Sequence, residues 1–204
     1  MILIGYSGHS YVVIGILREL GEKVTGYCDF ELKQKNPFLL DYLGTELSEE
    51  GFRALTQNDF FISIGNNFTR QSIFNALSLK NLFPINIIHP GAIIDSSAKL
   101  AMYGIMVAPN VTINALSIIG QGVICNTGCI IEHECQIGDF AHIGPGAVLC
   151  GNVHVGENSF VGAKSVVREA IKIGKNVIIG AGSVVVKDIP DNSKVAGNPA
   201  RPLS

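Results

Sequence analysis

The residues best suited to chemistry stand together at Ile131-Glu132-His133-Glu134-Cys135. An imidazole beside a carboxylate is a general-base pairing: the ring takes a proton from an attacking amine or hydroxyl, and the acid orients and charges it. Two more histidines, His142 and His154, follow at spacings of nine and twelve residues. A lone surface histidine reads as a solvated face; three this near one another point to function. A zinc site built from the three is the rival reading. Such sites use a closer histidine pair, and no C-x-x-C spacing occurs, so no metal is expected.

A second group lies at the N-terminus. A short apolar strand, Met1 to Ile4, runs into Gly5-Tyr6-Ser7-Gly8-His9-Ser10 and then into a helix over Tyr11–Leu20. A strand–turn–helix of this kind leaves backbone N–H groups free to hold an anion. Asp29, some twenty residues on at the end of a second strand, sits where such folds contact a ribose. The third glycine of G-x-G-x-x-G is missing, so a purely structural turn stays open, with His9 as a helix-start residue. Gly65-Asn66 close a third strand over Asp59–Ile64 in the same manner.

The elements that must position these residues have two periods. From Val107 to Val185, every sixth residue is Val, Ile or Leu, except for Cys125. Neither helix nor isolated strand has a period of six; a sustained hexapeptide period marks a parallel β-helix. Three hexads make one triangular coil, and each coil rests only on its neighbours. The anchor points inward, as does the small residue four places on (Val111, Ser117, Val123, Cys129, Cys135, Ala141, Ala147). The glycine after many anchors, as at Gly120, Gly138 and Gly144, is expected to supply corner dihedrals that a Cβ penalises. His133 and Glu134 fall on outward positions. Ile94 and Leu100 are one residue out of phase, which predicts a one-residue insertion near 102–105 and a β-helix starting near Ile93.

Residues 1–90 instead alternate strand and helix, with a second strand over Lys23–Tyr27, a helix over about Thr69–Leu79 and a fourth strand over Pro84–Ile88. That is a small parallel α/β domain of the nucleotide-binding kind. Residues 31–58 form a variable connection, with short helical stretches at Phe38–Tyr42 and Phe52–Leu55. His89-Pro90 marks the boundary with residues 91–204, and the absence of a Ser/Gly linker predicts packed domains.

Composition narrows the function. The chain has 204 residues, 47% hydrophobic and 16% charged, with a formal charge of −2. That charge gives no reason to expect nucleic acid or an anionic membrane as partner. No apolar run is long enough to span a bilayer. The N-terminus has no basic stretch of the signal-peptide kind. The five cysteines are odd in number; Cys125, Cys129 and Cys135 fall on inward positions, so reduced thiols and a cytoplasmic location are expected.

Specific stretches resemble the bacterial sugar acetyltransferases of the left-handed β-helix superfamily, of the PglD (UDP-4-amino-sugar N-acetyltransferase) and NeuD (sialic-acid O-acetyltransferase) types. They are Gly5-Tyr-Ser-Gly-His9, Asp59-Phe-Phe-Ile-Ser-Ile-Gly-Asn-Asn67 with Arg70, Asn126 to Cys135, Gly151-Asn152-Val153 and Val195-Ala-Gly-Asn-Pro-Ala200. The resemblance implies a Rossmann-like sugar-nucleotide domain followed by a left-handed β-helix. It implies His133 as general base, Glu134 orienting it, and His142 beside the thioester and acceptor. The Gly151 N–H would face the developing oxyanion. Acetyl-CoA would lie against Gly162-Ala163 and Gly180-Ala181 between two subunits of a homotrimer. The uridine nucleotide would sit on Gly5, Ser7, Gly8, His9, Ser10, Asp29, Gly65 and Asn66. The outward Ile118, Ile124 and Ile130 would serve the trimer contact. Where the amino-sugar branch carries two consecutive acids this chain has Cys28-Asp29, and Leu43-Gly44-Thr45 looks closer to the O-acetyl branch. O-acetylation of a sialic acid therefore stands beside N-acetylation of a nucleotide-linked amino sugar, and a non-catalytic trimeric scaffold is the third reading.

Overall fold

The computed structural model describes residues 1–203. The chain begins with β1 (Ile2–Ile4), α1 (Gly8–Glu19), β2 (Gly26–Cys28), β3 (Asp41–Tyr42), α2 (Glu49–Gln57), β4 (Phe60–Ile62) and α3 (Asn67–Ser78). The four strands form one parallel sheet in the order β3-β2-β1-β4. That order puts four loops side by side along the carboxyl edge of the sheet, where ligands of open α/β folds bind.

The helices start where the sequence offers caps. Ser10 Oγ accepts the Ser7 N–H at 2.9 Å ahead of α1. Ser48 Oγ accepts from Gly51 at 3.1 Å ahead of α2, whose first turn carries Glu49 and Glu50. Asn66 Oδ1 accepts from Thr69 at 3.0 Å ahead of α3. Along α1, Val13, Ile14, Ile16 and Leu17 are buried.

Two expectations for this region are corrected. Of Phe38–Tyr42, expected as helix, Asp41–Tyr42 form the edge strand β3, held by Asp41 N–H to Thr25 O at 3.1 Å. A run of five residues is too short to nucleate a helix when an open sheet edge offers its backbone partners. Of Pro84–Ile88, expected as a strand of the α/β sheet, only Ile85 hydrogen-bonds to that sheet, donating its N–H to Phe60 O at 3.1 Å. Ile87–Ile88 (β5) pairs in parallel with Met106–Val107 and is the first rung of the repeat, ahead of Ile93.

From β5 onward the chain forms three sheets whose strands run parallel and recur one coil apart, the geometry of a parallel β-helix, closed at the end by Arg201–Pro202 pairing antiparallel with Lys194–Ala196. Anchors stack in register, as in Val107–Cys125–Ile143–Val161–Ile179. The strands Lys99–Leu100 and Met106–Val107 are seven residues apart instead of six, with the extra residue in the bend at 102–104. All seven inward small residues named above are fully buried.

The glycines that follow the anchors do a different job from the one expected. None of Gly120, Gly138, Gly144, Gly156, Gly162, Gly174 and Gly180 has a positive φ. They are small because the next coil presses on them: a Cβ on Gly162 would sit 2.6 Å from Ala181 N, and one on Gly138 2.7 Å from Glu157 N. The left-handed corner lies three residues past each anchor. Asn110, Gly122, Gly128, Gly146, Asn152, Asn158, Asn176 and Gly182 occupy it with φ from +56° to +68°. Leu116, Glu134, Phe140, Lys164 and Ala170 hold the same corner without being Gly or Asn.

The two domains are packed together. Ile87, Met106 and Ile124, on the outer side of one β-helix face, are buried in one cluster with Leu3, Tyr6, Val13, Ile16 and Leu17. Burying such an aliphatic side chain is worth about 1.5–3 kcal/mol. Phe140 reaches the other way, into the cluster of Ile2, Ile4, Phe60, Ile62 and Phe74, with its ring 5.3 Å from that of Phe74. Ile124, expected at a subunit contact, is thus already covered by the N-terminal domain.

Arg70 fastens the junction. It is 1% exposed. Its Nε donates to Gly122 O at 2.8 Å, Nη2 to Phe140 O at 2.7 Å and Asn67 Oδ1 at 3.0 Å, and Nη1 to Ile64 O at 3.0 Å. Burial pulls its pKa down to about 9, so the guanidinium remains charged at neutral pH.

Candidate active site

A cavity of about 520 Å³ opens along the carboxyl edge of the α/β sheet. Its walls follow the strand order. Thr45 and Glu46 lie beyond β3, Asp29 and Phe30 beyond β2, Gly5 and Ser7 beyond β1, Gly65 and Asn66 beyond β4. Gly5 sits at φ +88°, and a Cβ there would run into the Ile64 side chain. Asp29 is buried: Oδ2 accepts the Tyr6 N–H at 2.9 Å and Oδ1 the Phe30 N–H at 2.8 Å, with Lys33 Nζ at 3.0 Å from Oδ1.

Of the N-terminal residues singled out from sequence, Gly5, Ser7, Asp29, Gly65 and Asn66 line this cavity, and Gly8, His9 and Ser10 do not. Ser10 is buried with its hydroxyl turned back to the Ser7 backbone, and Gly8 is the exposed first residue of α1. Sequence reasoning missed Lys33, Thr45, Glu46 and Thr69. Lys33 had a signal, a cation four residues past Asp29. The others come from loops whose place only the strand order reveals.

His9 turns toward the β-helix, where its ring centroid is 6.1 Å from that of His142. His142 is 7% exposed and packs edge-on against Phe160. Asn126 Oδ1 accepts the Thr127 N–H at 2.8 Å, which turns Asn126 Nδ2 toward His142 Nε2 at 3.0 Å. His142 Nε2 is therefore the acceptor, and the ring proton resides on Nδ1. Both His142 Nδ1 and His9 Nε2 are buried without a hydrogen-bond partner among the described residues. Burial, then Arg70 and His9, lower the His142 pKa to about 3, against a smaller upward pull from the nearby Gly65 backbone, which lies outside good hydrogen-bond geometry to the ring. Burial, then Arg70, lower that of His9 to about 4. Both rings are neutral near pH 7.

His133 stands elsewhere, on an exposed corner between two other faces of the β-helix. Its Nδ1 lies 3.0 Å from Glu134 Oε2. Its ring lies over Gly151, where a Cβ would fall 2.5 Å from Nε2. The buried Gly151 N–H makes no hydrogen bond among the described residues. Glu134 N–H donates to Ala115 O at 2.9 Å and Asn152 N–H to His133 O at 2.8 Å, so the corner is fixed by the coils on either side.

His133, His142 and His154 do not converge. His142 is on one sheet, His154 on another, and His133 on a corner away from the His142 face. Among the described residues no group of three or more His, Cys, Asp or Glu could hold a metal ion, and no helix is long and apolar enough to cross a membrane. At the expected acetyl-CoA residues, the Gly162 and Gly180 amides are spent on Ile179 O and Val195 O, both at 2.8 Å. The Ala163 and Ala181 amides are unpaired among the described residues. Their spacing of one coil fits a polar chain lying along the β-helix.

Comparison with known proteins defines the class. Residues 1–77 match the family model described as PglD N-terminal domain, and residues 152–187 match Bacterial transferase hexapeptide (six repeats). The structure is similar to a histidine-to-asparagine variant of perosamine N-acetyltransferase from Caulobacter crescentus, solved with CoA and GDP-perosamine. The TM-score is 0.93 at 35% identity, covering 100% of this chain and 96% of that one. It is also similar to the acetyltransferase domain of PglB from Neisseria gonorrhoeae FA1090 in complex with acetyl coenzyme A, with TM-score 0.88, 34% identity, and 99% and 98% coverage. GDP-perosamine N-acetyltransferase of Escherichia coli O157:H7 is 32% identical over 113 residues. That match spans 50% of this chain and about half, 51%, of the relative. The β-helix is accordingly left-handed, and the N-terminal unit is the Rossmann-like domain that precedes it. The chain belongs to the PglD/NeuD-type sugar acetyltransferases of the hexapeptide-repeat superfamily.

Proposed function

We propose that this protein transfers acetyl from acetyl-CoA to the amino group of a nucleotide-linked sugar, with His133 as general base. The observation that carries the reading is the His133–Glu134 pair at 3.0 Å on a fixed corner, with the unpaired Gly151 N–H beneath the ring. Glu134 holds Nδ1 and leaves Nε2, over Gly151, without a hydrogen-bond partner among the described residues and free to take a proton from an amine. An amine must be neutral to attack a thioester, and positioned base assistance is typically worth ~10²–10⁴ in rate. The Gly151 amide is suited to receive negative charge building on the thioester oxygen, a role worth roughly 10²–10³ per donor.

His142 takes a different part. With Nε2 occupied by Asn126 and a pKa near 3, it is a poor base; it offers its Nδ1–H as a donor. The cavity gives the acceptor its orientation. Phosphate belongs over the α1 start at Gly5 and Ser7 and ribose at Asp29, which sends the sugar past Gly65 toward His9 and His142.

A single chain keeps this end of the cavity and His133 on different sides of the β-helix. The site is therefore completed by a second copy, in a homotrimer. The face bearing Ile93, Thr112, Ile130, Val148, Val166 and Val184 supports this, since five of its six coils present an aliphatic residue outward and the sixth a threonine. Amine acceptors are favoured over hydroxyls because the relatives above are named N-acetyltransferases. The five free cysteines fit a cytoplasmic setting.

The test is thiol release from acetyl-CoA with nucleotide-linked amino sugars. Wild type should turn over, and His133→Asn should lose about 10²-fold or more in kcat with acetyl-CoA affinity retained. An unchanged kcat in His133→Asn would overturn the assignment.

A further inference from the structure

We propose that Glu46 reads the base of the sugar nucleotide, and that the base is guanine. This rests on the sugar-nucleotide reading above and extends it to a residue and a base that the sequence did not single out.

The order of the sheet supplies the geometry. Along its carboxyl edge the loops run Thr45–Glu46, Asp29–Phe30, Gly5–Ser7, Gly65–Asn66. Phosphate at the helix start after β1 and ribose at the acid after β2 fix the direction of the ligand. Continuing outward, the base falls over the end of β3, at Thr45 and Glu46. Those residues line the same cavity as Gly5 and Asp29.

Glu46 is half-buried and makes no ion pair or hydrogen bond among the described residues. Asp29, by contrast, is already held by two backbone N–H groups and Lys33. Glu46 lies close enough to Cys28 that its charge, after burial, helps push that thiol up to about 12. A partly desolvated carboxylate without a donor is unfavourable until a ligand brings one.

The chemistry of the bases then discriminates. A carboxylate offers two parallel acceptors. Guanine alone presents two adjacent donors, N1–H and the exocyclic N2–H₂, and can meet both oxygens at once. Uracil places its single N3–H between two carbonyl acceptors, which would face the carboxylate oxygens. Adenine and cytosine each set one donor beside a ring-nitrogen acceptor. The expected uridine nucleotide is thus disfavoured by repulsion as well as by a lost hydrogen bond. Phe30, exposed at the same end of the cavity, carries Lys33 Nζ over one face at 4.1 Å from the ring centroid and offers the other face to a purine.

Isothermal titration with GDP, inosine diphosphate and UDP on wild type and Glu46→Gln tests this, with thermal melting to confirm that the variant folds. A bidentate pair to a base gives roughly 5- to 150-fold discrimination. Wild type should bind GDP at least about tenfold more tightly than inosine diphosphate, which lacks only the exocyclic amine, and than UDP. In Glu46→Gln the GDP preference over inosine diphosphate should collapse to within about threefold, with UDP affinity raised as the repulsive carboxylate is removed. UDP binding as tightly as GDP, or an equal loss of all three in Glu46→Gln, overturns the proposal and leaves the acetyltransferase reading intact. Failure of every nucleotide to bind, with acetyl-CoA still bound, overturns the proposal together with the sugar-nucleotide reading beneath it.

Discussion

Acidification should destabilise this fold through the two neutral histidines at the domain junction. In the unfolded chain an imidazole titrates near 6.5. In the folded protein His142 and His9 titrate near 3 and 4. Folded-state values depressed below the unfolded one mean that the unfolded chain binds the extra protons. Stability is therefore complete above about pH 6.5 and falls as pH drops toward the folded values. Between pH 7 and pH 5 each fully neutral ring withdraws roughly 2 kcal/mol, from ~1.36 kcal/mol per pH unit. The two together make on the order of 4 kcal/mol, with the His9 share smaller because its ring is only partly enclosed. At ~2–4 °C per kcal/mol for a chain of this size, the His142 share alone is about 4–8 °C in Tm. The assay is thermal unfolding of wild type and His142→Asn across this range. Asn cannot take the proton, so the variant should show a fall in Tm between pH 7 and 5 that is smaller by about that amount, whatever its Tm at pH 7. An identical pH slope in the two proteins would refute the reasoning, because His142 would then titrate no differently folded than unfolded.

Three further outcomes follow from the geometry. Gly151→Ala should fold, since its φ is not in the left-handed region, yet push the His133 ring aside and cut kcat by at least about tenfold; unchanged steady-state kinetics would show that the ring does not rest there. Gly162→Ala should lose about 1–3 kcal/mol in denaturant melts because its methyl meets the next coil at Ala181; wild-type stability would mean that the coils have room to part. Val166→Lys, on the outward aliphatic face, should give monomers in light scattering where the wild type gives the proposed trimer, and abolish turnover while each chain stays folded; a trimeric variant would place the subunit contact elsewhere.

The sequence made the β-helix legible because its constraint is local and repeated. An inward aliphatic every six residues needs no knowledge of distant parts of the chain. The glycine after the anchor misled, since its demand comes from the neighbouring coil eighteen residues away and not from its own backbone. The true corner, three residues past each anchor, was disguised by Leu116, Glu134, Phe140, Lys164 and Ala170 among the Gly and Asn. At the sites, His133-Glu134 could be read because adjacent residues made the pair. The His9–His142–Arg70 junction could not, because its members lie on a helix of one domain, a strand of the other and a second helix between. Ile87–Ile88 failed for a related reason: two isoleucines serve either sheet equally well, and packing decides.

Glu134 gives the left-handed corner a further meaning. At φ +60° it occupies a backbone position where Gly or Asn would rest more comfortably, by about 1 kcal/mol. Thermal robustness and turnover thus pull one codon in opposite directions. A search for hardier variants by selection on folding alone would favour Gly or Asn here, and would enrich proteins that survive heat but have lost the carboxylate beside His133, the proposed base. Any stabilisation programme on this scaffold has to hold that one corner fixed.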